Sequence, residues 1–214
     1  MPHFSSIDKL RAEITDLPGW EAQMRMSPVG ESSNKYQESN PDSKKAGVIA
    51  LLFPDESEML NLIYIKRTSL HKGDKHSGQI SFPGGQREDG DENLEQTALR
   101  ELEEELGIPT SAVHIIGALT PLYIWVSNFY VEPYLAYMSS KPEFIPQASE
   151  VEYPIVVPME ALLKEETKGK KDLQIRNATM PQVPYYDIYG DVLWGATAMM
   201  TSEITALFYR IHNA

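Results

Sequence analysis

Apolar residues along this chain follow two kinds of spacing, one typical of helices and one typical of strands. Near the N-terminus, apolar side chains recur every three or four residues ahead of a Pro-Gly pair: Ile7, Leu10, Ile14 and Leu17. That spacing predicts a helix from about residue 5 to residue 17. Short apolar runs bounded by charged or glycine-containing turns predict β-strands at 47–53, 60–67, 78–82, 113–119, 129–137, 151–157 and 173–176.

Three further segments carry helical spacing, at 93–106, 159–166 and 197–211. The first is followed by Gly107 and then by Pro109, the usual order after a last helical turn. Strands therefore precede a helix, more strands follow it, and a helix ends the pattern. This order predicts an α/β fold in which helices cover the faces of a mixed central sheet.

The segment from residue 27 to residue 45 is mostly polar and reads SPVGESSNKYQESNPDSKK. It is too long and too hydrophilic for a buried connection, so we expect a flexible surface loop, which a ligand could order. At about 150 residues per domain, the chain length is that of one domain with an added segment. We therefore predict an N-terminal helix and flexible loop at 1–45 and one domain at 46–214.

Charge and cysteine content narrow the possible functions. Thirty-one acidic residues against 19 basic ones leave a net charge of −12, which argues against a nucleic-acid partner held by clustered lysines and arginines. The chain contains no cysteine, which excludes thiolate metal sites and disulfides. No uninterrupted apolar run reaches about 18 residues, and the first residues lack the pattern of a secretory signal. We expect a cytoplasmic protein that makes no membrane contact.

The predicted helix at 93–106 combines an apolar arc with an acidic one. At about 100° per residue, its leucines and Ala98 share one arc, and Glu101, Glu104 and Glu105 share the neighbouring one. Carboxylates three and four residues apart repel by about 0.2–0.5 kcal/mol per pair, so this arrangement needs compensation. Two interpretations remain open: a solvated acidic face, which such runs usually form, or a set of oxygen ligands for a hard divalent cation such as Mg²⁺.

The residues around this helix favour the cation site. The run Phe82-Pro83-Gly84-Gly85 joins a strand end to paired glycines, which allow a backbone carbonyl to approach a ligand closely. Arg100 lies between the apolar and acidic arcs, where its guanidinium can orient a neighbouring carboxylate through two hydrogen bonds.

Residues 100–108, RELEEELGI, match every fixed position of REUxEExGU, where U is a bulky aliphatic residue. This pattern is the second half of the Nudix box, so the chain resembles the Nudix hydrolases. The first half of the box contains one residue more than the common pattern. Counted from Gly85, its acidic position falls on Asp91. Counted back from Arg100, it falls on Glu92, and either carboxylate could fill the place.

The resemblance implies a Nudix-type α/β/α sandwich and a metal-dependent reaction. Nudix hydrolases cleave a nucleoside diphosphate linked to another moiety, with Mg²⁺ or Mn²⁺ as the cofactor. Cations held by the acidic helix would offset the negative charge around the phosphorus atom and lower the pKa of a bound water. The implied metal-binding residues are Gly85, through its carbonyl, and Glu101, Glu104 and Glu105.

Two further runs resemble the branch of Nudix hydrolases that cleaves coenzyme A: HSGQISFPGG at 76–85, preceded by Lys66-Arg67, and WGATA at 194–198. That resemblance implies hydrolysis of coenzyme A or an acyl derivative to phosphopantetheine and adenosine 3′,5′-bisphosphate. Arg67 and Lys72 would contact the substrate phosphates. Lys72 stands where that branch has a second arginine, so the charge is kept and the planar fork is lost.

The candidate catalytic residues are Glu101, Glu104 and Glu150. Glu101 is a metal ligand or an orienting base. Glu150 is included because the same branch places an acid before the corresponding strand; Glu152 is the alternative, and a surface acid without a role stays open.

Two other functions remain open. One is a Nudix hydrolase for a different small-molecule nucleotide, such as a dinucleotide, a nucleotide sugar or a nucleoside triphosphate. The other is a catalytically silent Nudix module that senses a nucleotide, although three crowded glutamates argue against a silent site. The resemblance also allows a homodimer.

Overall fold

The computed structural model describes residues 1–30, 40–69, 77–175 and 178–213. The helices in these ranges are α1 Ile7–Glu13, α2 Gly19–Met24, α3 Leu94–Leu106, α4 Met159–Leu163 and α5 Gly195–Asn213. The strands are β1 Lys44–Pro54, β2 Leu60–Arg67, β3 Ile80–Ser81, β4 Gly84–Gln86, β5 His114–Ala118, β6 Leu122–Ile124, β7 Phe129–Tyr137, β8 Val151–Pro158, β9 Lys168–Ile175, β10 Ala178–Ile188 and β11 Asp191–Trp194. None of the helices described is long and apolar enough to cross a membrane.

Strand β1 lies in the middle of an eight-stranded mixed sheet with the order β3-β2-β1-β7-β5. β1 and β7 run parallel, in register from Lys44 opposite Phe129 to Leu52 opposite Tyr137. Three further strands pair antiparallel with this path: β4 with β1, β6 with β7 and β8 with β2. The predicted mixed central sheet is therefore confirmed.

The two faces of β1 point into two apolar cores, because successive side chains of a strand alternate between faces. One face packs in the core that α5 covers, through Ala46, Ala50 and Leu52. The opposite face packs in the core that α3 covers, through Ile49, Leu51 and Phe53. The apolar arc predicted for the acidic helix supplies Ala98, Leu102 and Leu106 to this second core. Helices on both faces of one sheet confirm the α/β/α sandwich.

The N-terminal helices share the core of α5. Leu10 of α1 and Met24 of α2 are buried in it, and the Ser202 hydroxyl donates to the Ala22 carbonyl at 2.7 Å. Helix α1 is shorter than the predicted 5–17, and α2 was not predicted. The sequence Pro18-Gly19 resembles a helix end, whereas here it begins a helix, a position that proline also favours. The division into 1–45 and 46–214 stays a prediction.

The predicted flexible loop at 27–45 meets two different outcomes. Residues 31–39 lie outside the described residues. Lys44 and Lys45 already belong to β1, so the loop prediction was wrong at its C-terminal end. Each lysine places its ammonium over an aromatic ring of β7. These cation–π contacts stabilise the two polar side chains within the strand.

A second, three-stranded sheet with the order β11-β10-β9 precedes α5. Sequence patterning predicted only 173–176 of this sheet, together with a helix at 159–166 that ends at Leu163 in the structure. Three lysines in β9 and two prolines in β10 explain why these strands were not predicted, because lysine and proline are depleted in ordinary sheet interiors.

Candidate metal centre

Helix α3 begins and ends where its local signals predict. The Asn93 side chain accepts a hydrogen bond from the Gln96 backbone N–H at 2.8 Å and caps the first turn. Gly107 ends the helix with φ +68°, a left-handed conformation that glycine adopts without strain. The acidic residues therefore lie on one continuous helix of defined register.

Of the two carboxylates that could fill the upstream acidic position, Asp91 is the one that contacts Arg100. It is 5 % exposed and accepts hydrogen bonds from Arg100 Nε and Nη2, both at 3.0 Å, and from Thr97 Oγ1 at 2.9 Å. These Arg100 contacts hold the pKa of Asp91 well below its usual range and raise the pKa of Arg100. Glu92 is exposed, so the extra residue of the box places it on the surface.

Arg100 also reaches two glutamates of its own helix. Its Nη1 donates to Glu101 Oε1 at 3.1 Å and to Glu104 Oε2 at 2.9 Å. Arg100 thus makes its two-bonded contact with Asp91 and a single contact with Glu101, and its orienting role stays a prediction.

Three carboxylates converge beside this arginine: Glu101, Glu105 and Glu150. One ligand oxygen from each lies within 4.8 Å of the other two. Glu101 and Glu105 are one turn apart on α3, and Glu150 directly precedes β8. A compact set of carboxylate oxygens is the ligand chemistry that Mg²⁺ and Mn²⁺ prefer.

Glu150 reaches this cluster because its loop binds the C-terminal end of α3. The backbone N–H groups of Ile145 and Gln147 donate to the carbonyls of Leu106 and Glu105 at 2.8 and 2.9 Å. These carbonyls have no partner within the helix and need one outside it. Glu150 N–H then donates to the Gln147 carbonyl at 2.9 Å, which closes the turn beside the helix.

Glu105 is the most deeply buried member of the cluster, at 1 % exposure. Burial raises the pKa of Glu105 to about 8, although the Gly84 N–H donates to Oε2 at 2.9 Å and Arg67 Nη1 lies 3.4 Å from Oε1. Burial also raises the pKa of Glu101 against the opposing effect of Arg100. Bringing ionised carboxylates together in such a place is costly unless a cation accompanies them, so the residues fit a divalent cation.

The position of the Glu101 carboxylate requires a residue without a side chain at Gly85. A Cβ at Gly85 would lie 2.3 Å from Glu101 Oε1, closer than any side chain could be accommodated without displacing the carboxylate. The glycine therefore allows the Glu101 carboxylate to lie against the backbone of β4. A metal-ligand role for the Gly85 carbonyl stays a prediction.

Some predicted site residues are not part of the cluster. Glu104 is 58 % exposed at its side chain and is held by Arg100, so its role as a metal ligand and catalytic residue stays a prediction. Glu152 is exposed, whereas Glu150 joins the cluster. Lys72 lies outside the described residues. Arg67 contacts Glu105 and lines the neighbouring cavity.

That cavity has a volume of about 510 Å³ and opens beside the carboxylates. Glu101, Glu150 and Arg67 line one end of it. Its remaining wall is largely apolar and includes Ile124, Phe129, Met180, Trp194 and Met200. Sequence reasoning did not identify Ile124, Phe129, Met180 and Met200 as wall residues, because they come from separate elements and carry no shared local pattern.

Fold and site together define an α/β/α sandwich whose acidic helix presents carboxylates to a cavity. The chain belongs to the NUDIX family, because the sequence model of the family described as "NUDIX domain" matches residues 43–176.

Several named proteins are similar to this chain. "Nudix hydrolase 15, mitochondrial" of Arabidopsis thaliana is 30% identical over 193 residues, which cover 87% of this chain and 65% of that protein. "Uncharacterized Nudix hydrolase NudL" of Yersinia pestis (strain Pestoides F) is 34% identical over 131 residues, 61% of this chain and 64% of that protein. The matches thus span less than two thirds of these relatives.

Among solved structures, a Nudix hydrolase from M. Smegmatis, RenU, shares the fold with a TM-score of 0.53 at 13% identity. The match covers 79% of this chain and 88% of that one. It supports the fold alone.

Proposed function

We propose that this protein is a divalent-cation-dependent pyrophosphohydrolase whose preferred substrate is coenzyme A or an acyl derivative. One observation carries the proposal: Glu101, Glu105 and Glu150 converge at the edge of a cavity large enough for a small organic molecule. The proposed cofactor is Mg²⁺ or Mn²⁺. The cytoplasmic location stays a prediction.

The reaction requires water to attack a phosphorus atom surrounded by anionic oxygens. A bound divalent cation supplies positive charge to the diphosphate and lowers the pKa of a bound water. Glu101 and Glu105 would hold the cation, and Arg100 together with Gly85 would fix the orientation of Glu101.

Two further side chains act on the substrate. Glu150, across from the helix, accepts the proton of the attacking water at a carboxylate oxygen. Arg67 donates to a phosphate oxygen of the diphosphate from the same end of the cavity.

The apolar wall supports a substrate with an extended organic arm. Trp194, Gly195, Ala196 and Thr197, which begin the run that resembles the coenzyme A branch, line the cavity. A pantetheine or acyl chain could pack against this wall while its diphosphate lies at the carboxylates. Other nucleotides remain possible outcomes of the test.

The test is a substrate panel with the purified protein, in Mg²⁺ and in Mn²⁺, with products identified by mass. The panel contains coenzyme A, acetyl coenzyme A, NADH, diadenosine polyphosphates, nucleotide sugars and nucleoside triphosphates. We expect coenzyme A or its acetyl derivative to give the highest kcat/KM, with phosphopantetheine or its acetyl ester as a product. If coenzyme A is the poorest substrate, the coenzyme A assignment fails; if nothing is cleaved, the catalytic assignment fails.

A further inference from the structure

Two consecutive lysines begin strand β1, and each contacts an aromatic ring of the neighbouring strand β7. The Nζ atom of Lys44 lies 5.4 Å from the ring centroid of Phe129, and that of Lys45 lies 4.2 Å from the ring centroid of Tyr130. Because successive side chains of a strand point to opposite faces, the two ammonium groups lie on opposite sides of the sheet.

Lys44 is on the face that forms the cavity. Ala46 and Val48, the next residues on that face of β1, both line the cavity, and so does Phe129 beneath the Lys44 ammonium. Lys45 shares its face with Ile49, which packs in the core beneath α3. Lys44 is not itself among the residues that line the cavity, but the Phe129 ring that its ammonium contacts is. Lys45 contacts Tyr130, which does not line the cavity.

Lys44 brings a basic side chain to the start of β1. The side chain is exposed, and no ion pair of Lys44 is found within the described part of the chain. A cation–π contact holds the ammonium over Phe129 without neutralising it. In a chain of net charge −12, such a group over a cavity-lining ring attracts an anionic ligand.

The backbone around Lys44 is fixed by the turn between β6 and β7. The Lys44 N–H donates to the Asn128 carbonyl at 3.0 Å, and Asn128 Oδ1 accepts from the Tyr123 hydroxyl at 2.8 Å. The adjacent Ser127 lines the cavity, and its buried hydroxyl has no hydrogen-bond partner among the described residues. The Lys44 ammonium therefore contacts one cavity-lining residue, Phe129, and its backbone is bonded to the residue that follows a second one, Ser127.

Lys44 is separated from the carboxylate cluster along β1. Gly47 pairs with Gly85, which lies against Glu101, and Lys44 comes three residues earlier on the strand. At about 3.3 Å per residue, the separation is roughly 10 Å. A substrate with its diphosphate at the carboxylates would extend toward Lys44 with its next anionic group.

We propose that Lys44 is a specificity-determining residue that binds a second phosphoryl group of the substrate, outside the diphosphate that is cleaved. This inference rests on the proposed function and narrows it to substrates with an additional phosphate, such as the 3′-phosphate of coenzyme A. Lys45, adjacent in sequence and also placed over an aromatic ring, serves as the matched control.

The experiment compares Lys44→Ala and Lys45→Ala on substrate pairs that differ by one phosphoryl group: coenzyme A with dephospho-coenzyme A, and NADPH with NADH. We expect Lys44→Ala to raise KM about tenfold for the phosphorylated member of a cleaved pair, with kcat unchanged and no effect on the other member. Lys45→Ala should leave KM unchanged for both members of the pair. Lys44→Arg should keep the lower KM for the phosphorylated member. An equal loss on both members, or an equal effect of Lys45→Ala, overturns the inference.

Calorimetry with adenosine 3′,5′-bisphosphate and with AMP gives a readout that does not need turnover. The wild-type protein should bind the bisphosphate more tightly, and Lys44→Ala should remove the difference. If the wild-type protein binds both equally, the Lys44 inference fails even where coenzyme A is cleaved. If coenzyme A is not cleaved but the difference is present and lost in Lys44→Ala, the proposed substrate fails and the Lys44 inference stands.

Discussion

Arg100 holds Asp91 through two nitrogens: Nε donates to Oδ1 and Nη2 donates to Oδ2, each at 3.0 Å. The same guanidinium contacts Glu101, a member of the carboxylate cluster. The loop before α3 and the cluster on α3 are therefore joined through one side chain.

Removing Asp91 should destabilise the protein. We expect Asp91→Ala to lower the free energy of unfolding by about 2 kcal/mol, because hydrogen bonds to a charged partner are lost. Denaturant unfolding measures the change. Glu92→Ala is the control, since Glu92 is exposed, and it should stay within about 0.5 kcal/mol of the wild-type value. Equal losses in the two variants would contradict the placement of Asp91.

The stability of the metal-free protein should fall as the pH rises. Glu105 has a pKa of about 8 in the folded state, above the usual value of about 4.5, so between these values the folded state binds more protons than the unfolded one. Its contribution to stability is complete below about pH 4.5 and is lost as the pH rises through 8. The raised pKa values of Glu101 and Glu203 act in the same direction.

Unfolding in the presence of a chelator, at pH values from 5 to 9, measures this dependence. Glu105→Gln should reduce the slope and make the metal-free protein more stable than wild type near pH 8. Glu103→Gln, on the exposed side of the same helix, should keep the wild-type slope. A Glu105→Gln variant with an unchanged slope would argue against the raised pKa.

Gly85→Ala should weaken cation binding without unfolding the protein, because the added Cβ would lie 2.3 Å from Glu101 Oε1 and displace that carboxylate. We expect roughly tenfold weaker Mn²⁺ binding or more. Gly90→Ala is the matched control: a Cβ there meets nothing within 4 Å, so its affinity should equal that of wild type. Similar affinities for the two variants would remove Gly85 from the site.

Glu150→Gln should lower kcat on the order of 100-fold, as expected for the loss of a proton acceptor. Glu152→Gln, two residues later and exposed, should keep the wild-type rate. Steady-state kinetics on the best substrate of the panel compares them. If Glu152→Gln is the slower variant, the base has been assigned to the wrong carboxylate.

The sequence predicted α3 and its acidic arc well because the signals are local. Asn93, Gly107 and the leucine spacing lie within one segment, so no distant contact decides them. The same geometry explains why the three glutamates of the arc separate in the structure. At about 100° per residue, Glu105 lies about 40° from Glu101 toward the cavity, and Glu104 lies about 60° away on the other side, where Arg100 binds it.

Other features depend on contacts that a linear pattern does not contain. Glu150 reaches Glu105 through hydrogen bonds between its loop and the end of α3, and the register of β2 with β8 sets where that loop ends. Asp91 and Glu92 could not be distinguished from the sequence, because what separates them is the burial of Asp91 against Arg100. Lys44 was assigned to a polar loop, because its aromatic partner Phe129 lies far along the sequence.

Titration of the metal-free protein with MnCl₂ by calorimetry tests most directly whether Glu101 and Glu105, beside Glu150, bind a divalent cation. The wild-type protein and Glu103→Gln should bind Mn²⁺ with equal affinity, and Glu105→Gln should bind it at least tenfold more weakly while remaining folded. If Glu105→Gln binds Mn²⁺ as tightly as the wild-type protein, the carboxylate cluster is not the cation site.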